Sequence, residues 1–251
     1  MELQGKKVIV AGSGVSGIGA VTLLGRLGAK IILYDGNKAL TKEEIRAKVP
    51  QGIELEIIIG DLTKEALDGT EIFVVSPGIP RDTLCVKQAE EAGLTIWGEI
   101  ELAYQASKGR LAAITGTNGK TTTTTLAGEI LKSWYASVFV VGNIGIPYTS
   151  IALDTKEDSI TVAEISSFQL ETVWEFAPEV SAILNITPDH LNRHKTMENY
   201  IAIKESITKN QKLGNVCVLN YEDKELRKFG EKLEIPVIFF SSQRELEQGF
   251  C

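Results

Sequence analysis

Residues 111–121 read LAAITGTNGKT and residues 8–17 read VIVAGSGVSG, so one local plan occurs twice in the chain. In each stretch a short apolar run, typical of a buried strand, leads through a glycine-containing turn into an amphipathic segment. Elsewhere in the 251 residues, β-branched apolar runs also alternate with amphipathic stretches. This alternation predicts βαβ units, and therefore an α/β fold with mostly parallel sheets.

The periodicity assigns each run and stretch to an element. The predicted strands are Lys7–Ala11, Lys30–Tyr34, Glu54–Ile59, Glu71–Val75, Leu94–Trp97, Leu111–Thr115, Val138–Val141, Ile160–Glu164, Val180–Leu184, Val216–Leu219 and Pro236–Phe240. The predicted helices are Val15–Leu27, Lys42–Lys48, Arg81–Ala92, Glu99–Ala106, Lys120–Lys132, Met197–Thr208 and Asp223–Lys232. We expect a domain boundary near Trp97, which gives domains of residues 1–97 and 98–251.

Composition excludes several classes of protein. Hydrophobic residues make up 43% of the chain and the net charge is −7, so a globular domain is expected and a nucleic-acid partner is not. No apolar run approaches a membrane span of about 20 residues, and the N-terminus has no secretory apolar core, so we expect a cytoplasmic protein without a membrane partner. Three cysteines without a C-x-x-C pair argue against a disulfide framework and a thiolate metal site.

The first glycine loop has the spacing G-x-G-x-x-G and predicts a phosphate-binding turn. It spans Gly12, Ser13, Gly14, Val15, Ser16 and Gly17. Its glycines permit a tight turn and close backbone approach, and the following helix presents free N–H groups to an anion. Asp35 ends the next strand, where a ribose-binding acid lies in dinucleotide folds. The ligand could be NAD or another pyrophosphate such as that of a UDP-sugar, and a turn that merely needs small residues is the structural alternative.

Another turn follows the strand Glu71–Val75. Ser76, Pro77 and Gly78 could present a hydroxyl and backbone N–H groups to a phosphate or a base. The same residues could simply end the strand, because proline fixes φ and glycine allows a left-handed turn.

The second glycine loop resembles a phosphate-binding P-loop. Its residues are Gly116, Thr117, Asn118, Gly119, Lys120, Thr121 and Thr122. Backbone N–H groups would bind phosphates, Lys120 would neutralise them and the Thr121 hydroxyl could ligate Mg²⁺. The loop departs from G-x-x-x-x-G-K-[ST], because Ile114 stands where the first glycine would be.

Polar residues at two later strand ends complete this chemistry. Glu164 ends an apolar strand, as a metal-binding acid of a P-loop protein does, although such a residue can also be a solvated turn. Both histidines of the chain fall within residues 185–194. His190 could ligate a metal with Asp189 beside it, and Arg193 could pair with a phosphate or a carboxylate. An ordinary polar loop is the alternative.

Taken together, four motifs resemble the Mur ligase family, in particular its D-glutamate-adding branch. They are TGTNGKTT at 115–122, GNIG at 142–145, EISSFQL at 164–170, and Asn185 followed by DHLNRH at 189–194. The resemblance implies an ATP-dependent, amide-forming ligase of peptidoglycan precursor synthesis. It would add D-glutamate to UDP-N-acetylmuramoyl-L-alanine through an acyl phosphate.

The resemblance also implies residue roles. The first glycine loop, Asp35 and residues 76–78 would bind the UDP-substrate in a Rossmann-like domain. In the P-loop domain, Asn143, Ser166 and Gln169 would lie along the substrate passage. Two Mg²⁺ ions would be held by Thr121, Glu164, His190 and a carbamylated Lys204, since a neutral lysine amine can take up CO₂ and become an anionic oxygen ligand. Without the resemblance, Lys204 would be an ordinary helix lysine.

Members of this family have some 450 residues in three domains, so we expect the end of the ATPase domain and the whole C-terminal domain to be missing. D-glutamate would then bind only when that domain is present, and this chain alone is expected not to turn over. Alternatives are an L-alanine-adding or folylpolyglutamate-type ligase of the same family, an NAD(P)-dependent oxidoreductase, and a non-catalytic nucleotide-binding module.

Overall fold

The computed structural model describes residues 3–143, 145–247 and 249–250, so Ile144 of the GNIG motif and Cys251 lie outside the described residues. The chain forms two compact units. The first consists of Met1–Ser107, Pro147–Asp154 and Glu171–Trp174, and the second of Lys108–Ile146, Thr155–Leu170 and Glu175–Cys251. The helix Glu99–Ala106 therefore lies in the first unit, beyond the boundary expected near Trp97.

The first unit contains a parallel sheet of five strands in the order β3-β2-β1-β4-β5. The strands are β1 Lys7–Ala11, β2 Lys30–Asp35, β3 Leu55–Ile59, β4 Thr70–Val75 and β5 Thr95–Gly98. The helices are α1 Val15–Arg26, α2 Lys42–Arg46, α3 Lys64–Leu67, α4 Leu84–Glu91, α5 Glu99–Ala106 and α7 Tyr148–Ile151. The central strand β1 is buried from Val8 to Ala11, which explains its continuous apolar run.

The second unit contains a parallel sheet of six strands in the order β11-β10-β9-β6-β8-β7. The strands are β6 Arg110–Thr115, β7 Val138–Gly142, β8 Ile160–Glu164, β9 Val180–Ile183, β10 Val216–Asn220 and β11 Val237–Phe240. The helices are α6 Lys120–Lys132, α8 Ser167–Leu170, α9 Leu191–His194, α10 Met197–Glu205 and α11 Lys224–Gly230.

Each sheet has a point at which the strand order reverses. In the first unit the chain moves from β1 through β2 to β3 and then returns to β4 on the other side of β1. In the second unit β7 and β8 lie on one side of β6, and β9 to β11 on the other. Ligands of open parallel sheets bind outside the carboxyl ends of the strands at such a reversal. Both glycine loops follow the central strand at this position.

The predicted α/β fold with parallel sheets is confirmed. Every predicted strand is present, with small shifts at the ends. Lys42–Lys48 and Asp223–Lys232 end two residues earlier than predicted, and two other predicted helices were wrong by three residues at one end. The helix expected from Arg81 begins only at Leu84, because Thr83 and Pro80 form a turn before it. The helix expected to reach Thr208 ends at Glu205 and tightens into a 3₁₀ turn over Ser206–Thr208.

No helix in the described part of the chain combines the length and the apolar character needed to cross a membrane.

Candidate functional site

The first glycine loop brings the start of α1 against the end of β1. Gly12 has φ +98°, which favours glycine. A Cβ at Gly17 would lie 1.8 Å from the Gly12 carbonyl oxygen, so the helix can pack this closely only when residue 17 lacks a side chain. Gly14 is the N-cap of α1, and the first turn of the helix carries no acidic residue. The free N–H groups there can donate hydrogen bonds to an anion.

Asp35 holds this loop in place. Its Oδ2 accepts hydrogen bonds from the Ser13 backbone N–H at 2.9 Å and from the Ser13 hydroxyl at 2.6 Å. Its Oδ1 accepts from the backbone N–H of Asn37 at 3.0 Å. Burial alone would raise the pKa of Asp35, but the hydrogen bonds from Ser13 and Asn37, with Lys48 nearby, outweigh it and leave the pKa lowered. Asp35 is therefore an ionised positioning group for the loop, and its proposed contact with a nucleotide stays a prediction.

Ser76, Pro77 and Gly78 follow β4, which is the neighbour of β1 across the reversal point. The Ser76 hydroxyl oxygen is buried without a hydrogen-bond partner among the described residues, and a Cβ at Gly12 would lie 2.8 Å from it. The Ser76 side chain thus packs beneath the glycine loop. The turn and the loop lie together, and their role as one face that binds the UDP-substrate stays a prediction.

The second glycine loop connects β6 to α6 in a similar way. Gly116 has φ +148°, and Gly119, with φ +83°, is the N-cap of α6. The first turn of α6 contains no acidic residue, and its leading N–H groups have no partner within the helix. Lys120 donates from Nζ to the Thr117 carbonyl oxygen at 3.0 Å, so its ammonium lies over its own loop. The arrangement can bind an anion at the start of α6.

Glu164 lies beside this loop because β8 pairs with β6. The register places Glu164 opposite Ile114, and the side chain of Glu164 is only 2% exposed. Asn143, at the end of β7, donates from Nδ2 to Glu164 Oε1 at 3.3 Å and from its backbone to the Glu164 carbonyl oxygen. A buried carboxylate next to a phosphate-binding loop suits a cation.

Ser166 and Gln169 form a local pair just after β8. Gln169 Oε1 accepts from the Ser166 backbone at 2.8 Å and from its hydroxyl at 2.9 Å. These bonds cap the short helix α8, so they explain the two residues structurally. Their predicted place along a substrate passage stays a prediction.

An aromatic cluster positions the histidine loop. The ring of Phe168 lies 4.9 Å from that of His190 and 5.4 Å from that of His194, measured between centroids. The guanidinium of Arg193 lies 5.1 Å from the same Phe168 ring. His190 has φ +50°, an unusual backbone conformation for a non-glycine residue, and its Nε2 lies 3.4 Å from Asp189 Oδ2.

Lys204 is a fully buried lysine that reaches the phosphate-binding loop. Its side chain is among the largest fully buried ones, and its Nζ donates to the Gly116 carbonyl oxygen at 2.8 Å. The ammonium lies 4.7 Å from the centre of the Tyr200 ring. Burial, followed by the charge of Lys120, lowers the pKa of Lys204 to about 7, although Asp189 acts in the opposite direction. The lowered pKa favours the neutral form of this amine.

The structure brings to this edge four residues that the sequence analysis gave no individual role, namely Tyr200, His194, Ser167 and Asn185. Thr117 Oγ1 lies 3.2 Å from the Tyr200 hydroxyl, and His194 Nε2 lies 3.0 Å from Ser167 Oγ. Asn185 bonds the backbone of Asn118. For Tyr200 the sequence did contain a signal, because its i, i+4 spacing from Lys204 places both side chains on one helix face.

The oxygen donors at this site are of the chemical type that Mg²⁺ prefers. Thr121, Glu164 and a carbamate on Lys204 would supply hard oxygen ligands, and His190 an imidazole. Among the described residues, no group of three or more His, Cys, Asp or Glu side chains is placed to hold a metal by itself. Any cation here would therefore also need the Thr121 hydroxyl, a carbamylated Lys204 or a bound phosphate as a ligand.

Comparison with known proteins identifies the family. A family model described as the Mur ligase middle domain matches residues 114–249, and one described as the Mur ligase MurD-like N-terminal domain matches residues 6–98.

Two curated relatives carry the name UDP-N-acetylmuramoylalanine--D-glutamate ligase. The protein from Lachnoclostridium phytofermentans is 56% identical to this chain over 249 residues, and the one from Lachnospira eligens is 54% identical over 249 residues. Each alignment covers 99% of this chain but 55% of the relative, so the chain spans about half the length of these relatives.

A solved structure of UDP-N-acetylmuramate:L-alanyl-gamma-D-glutamyl-meso-diaminopimelate ligase from Neisseria meningitides has a TM-score of 0.57 to this chain. The sequence identity is 13%, and the match covers 98% of this chain and 82% of that one. At this identity the likeness concerns the fold alone. The family models and the close relatives carry the assignment, and the chain belongs to the Mur ligase family.

Proposed function

We propose that this chain forms the UDP-substrate and phosphate-binding parts of an ATP-dependent ligase that adds D-glutamate to UDP-N-acetylmuramoyl-L-alanine. The observation that carries the proposal is the grouping of Lys120, Glu164 and Lys204 around one phosphate-binding helix start, in a chain whose relatives bear that ligase name. An NAD(P)-dependent oxidoreductase would have no use for these three residues.

In the proposed reaction, the substrate carboxylate attacks the γ-phosphorus of ATP, so that ADP leaves and an acyl phosphate forms. The amine of D-glutamate then attacks the acyl carbon, and phosphate leaves as the amide bond forms. The chain needs no nucleophile of its own, because positioning and charge lower the barrier. Lys120 and the first N–H groups of α6 would hold the transferring phosphate. D-glutamate would require the rest of a full-length ligase.

Thr121, Glu164, His190 and Lys204 would hold two Mg²⁺ ions, which would neutralise charge on the phosphates when bound. For Lys204 this requires carbamylation, in which Nζ forms a bond to the carbon of CO₂ and releases a proton. Burial and the low pKa favour the neutral amine that this step needs. The hydrogen bond to the Gly116 carbonyl would be rearranged as the carbamate forms.

Detecting a carbamate on Lys204 by NMR tests the proposed metal chemistry directly. With ¹³C-labelled bicarbonate, we expect a carbamate carbon resonance that grows as pH rises through about 7, because protonated amine is lost in that range. The Lys204→Arg variant should lose the resonance, whereas Lys209→Arg, a change at an exposed lysine in the turn that follows, should keep it. A wild-type chain without this resonance at about pH 8 would count against the proposed metal chemistry.

A further inference from the structure

Asn185 lies against the backbone of the phosphate-binding loop. Its Oδ1 accepts from the Asn118 N–H at 2.9 Å, and its Nδ2 donates to the Asn118 carbonyl oxygen at 3.0 Å. This reciprocal pair fixes which end of the carboxamide is the donor. The Asn185 carbonyl oxygen also accepts from the Thr117 N–H at 2.9 Å. Asn185, which follows β9, therefore makes three hydrogen bonds to backbone groups of the loop after β6. We name these three bonds the Asn185 bridge.

Neighbouring contacts hold the same stretch of loop. Thr117 Oγ1 donates to the Thr187 carbonyl oxygen at 3.1 Å and accepts from the Thr187 N–H at 3.0 Å. The Lys204 ammonium donates a hydrogen bond to the carbonyl oxygen of Gly116. The backbone polar groups of Thr117 and Asn118 are thus engaged inside the protein. The leading N–H groups of α6 have no partner within the helix and can bind an anion.

We infer that Asn185 is a positioning residue that sets the affinity of residues 116–121 for phosphate by holding the loop in its binding conformation before the ligand arrives. The inference rests on the proposed function, in which the ligand is the polyphosphate of ATP. Asn185 acts through the loop, because both ends of its carboxamide are hydrogen-bonded to the backbone of Asn118. A loop without the Asn185 bridge must be ordered during binding, and that ordering opposes affinity.

Asn220 provides a matched control. It ends β10, the strand beside β9, and its carboxamide also makes two backbone bonds. Nδ2 donates to the Leu184 carbonyl oxygen at 3.0 Å, and Oδ1 accepts from the Glu222 N–H at 3.0 Å. Neither bond reaches residues 116–121. Asn185→Ala and Asn220→Ala therefore remove the same number of side-chain hydrogen bonds at adjacent strand ends, and only the first loosens the phosphate-binding loop.

The experiment has two readouts. Amide hydrogen exchange measured by NMR on the ligand-free chain should show the Asn118 amide exchanging about ten times faster or more in Asn185→Ala, and within about twofold of wild type in Asn220→Ala. Calorimetry should show the Kd for MgATP raised about three- to tenfold by Asn185→Ala and unchanged by Asn220→Ala. Effects of equal size in the two variants would mean a general loss of stability and would overturn the inference.

Asn185→Asp separates the two bonds of the side chain. The carboxylate keeps the acceptor for the Asn118 N–H, so this amide should stay protected. It loses the donor and adds negative charge near the phosphates, so MgATP should bind more weakly, and salt should reduce the difference from wild type. Unchanged exchange at Asn118 in Asn185→Ala overturns the inference even if MgATP binds. If the wild-type chain binds no MgATP, the proposed function fails, and the exchange rates still decide whether Asn185 holds the loop.

Discussion

Replacing Gly17 by alanine is expected to destabilise the chain by about 3 kcal/mol, because the new methyl group has no space. A Cβ there would lie 1.8 Å from the Gly12 carbonyl oxygen and 2.9 Å from the Gly12 carbonyl carbon. These are backbone atoms, so neither can swing aside. The start of α1 would have to move away from the end of β1, and the first glycine loop would lose its shape. Urea unfolding followed by circular dichroism measures the change.

Gly14→Ser is the matched control, because it alters a glycine of the same loop. A Cβ at Gly14 meets nothing within 4 Å, and the backbone there has φ −79°. Serine is also a favoured N-cap residue, so we expect a change within about 0.5 kcal/mol. Equal stabilities of Gly17→Ala and Gly14→Ser would contradict the close approach of helix and strand on which the loop depends.

Replacing Lys120 by methionine is expected to raise the Kd for MgATP about ten- to a hundredfold. Methionine keeps most of the apolar stem but removes the ammonium that would bond the phosphates, and charge-assisted hydrogen bonds are among the strongest in proteins. In the free protein Nζ bonds the Thr117 carbonyl oxygen, so this bond would be exchanged for bonds to phosphate on binding. Isothermal titration calorimetry measures the affinity.

Lys132→Met tests whether any positive charge on the same helix would have this effect. Lys132 ends α6, is exposed, and pairs with Glu129 at 2.7 Å. It lies at the opposite end of the helix from Lys120, so we expect its replacement to change the Kd by no more than about twofold. Comparable losses in the two variants would indicate general electrostatic attraction and not a phosphate site at the start of α6.

Strands and the glycine loops were predictable because their signals are local. The run from Val8 to Ala11 is apolar without interruption since β1 is buried on both faces, and the run ends at the glycine that the turn requires. Four helices of four residues each were missed, namely Lys64–Leu67, Tyr148–Ile151, Ser167–Leu170 and Leu191–His194. A four-residue helix carries no period that can be read from the sequence, and its stability comes from contacts with distant residues.

The interior of the candidate site was less predictable, because it depends on pairing between distant segments. Thr117 and Thr187 are bonded across 70 positions, and Lys204 and Gly116 across 88. Lysine is almost always exposed, so composition alone would place Lys204 in solvent. Only the sheet order, which sets β9 beside β6, brings Asn185 to the phosphate-binding loop. The resemblance to Mur ligases supplied the role of Lys204, and the structure adds the burial that makes its chemistry reasonable.

The proposed function requires that the first glycine loop binds the uridine nucleotide of a ligase substrate. Calorimetric titration of the chain with UDP-N-acetylmuramoyl-L-alanine, with NADH as the control ligand, tests it most directly. We expect saturable binding of the uridine nucleotide and no binding of NADH. We also expect Gly14→Ser, which leaves the fold intact but adds a side chain at the N-cap of α1, to weaken that binding. Saturable binding of NADH without binding of the uridine nucleotide would contradict the account.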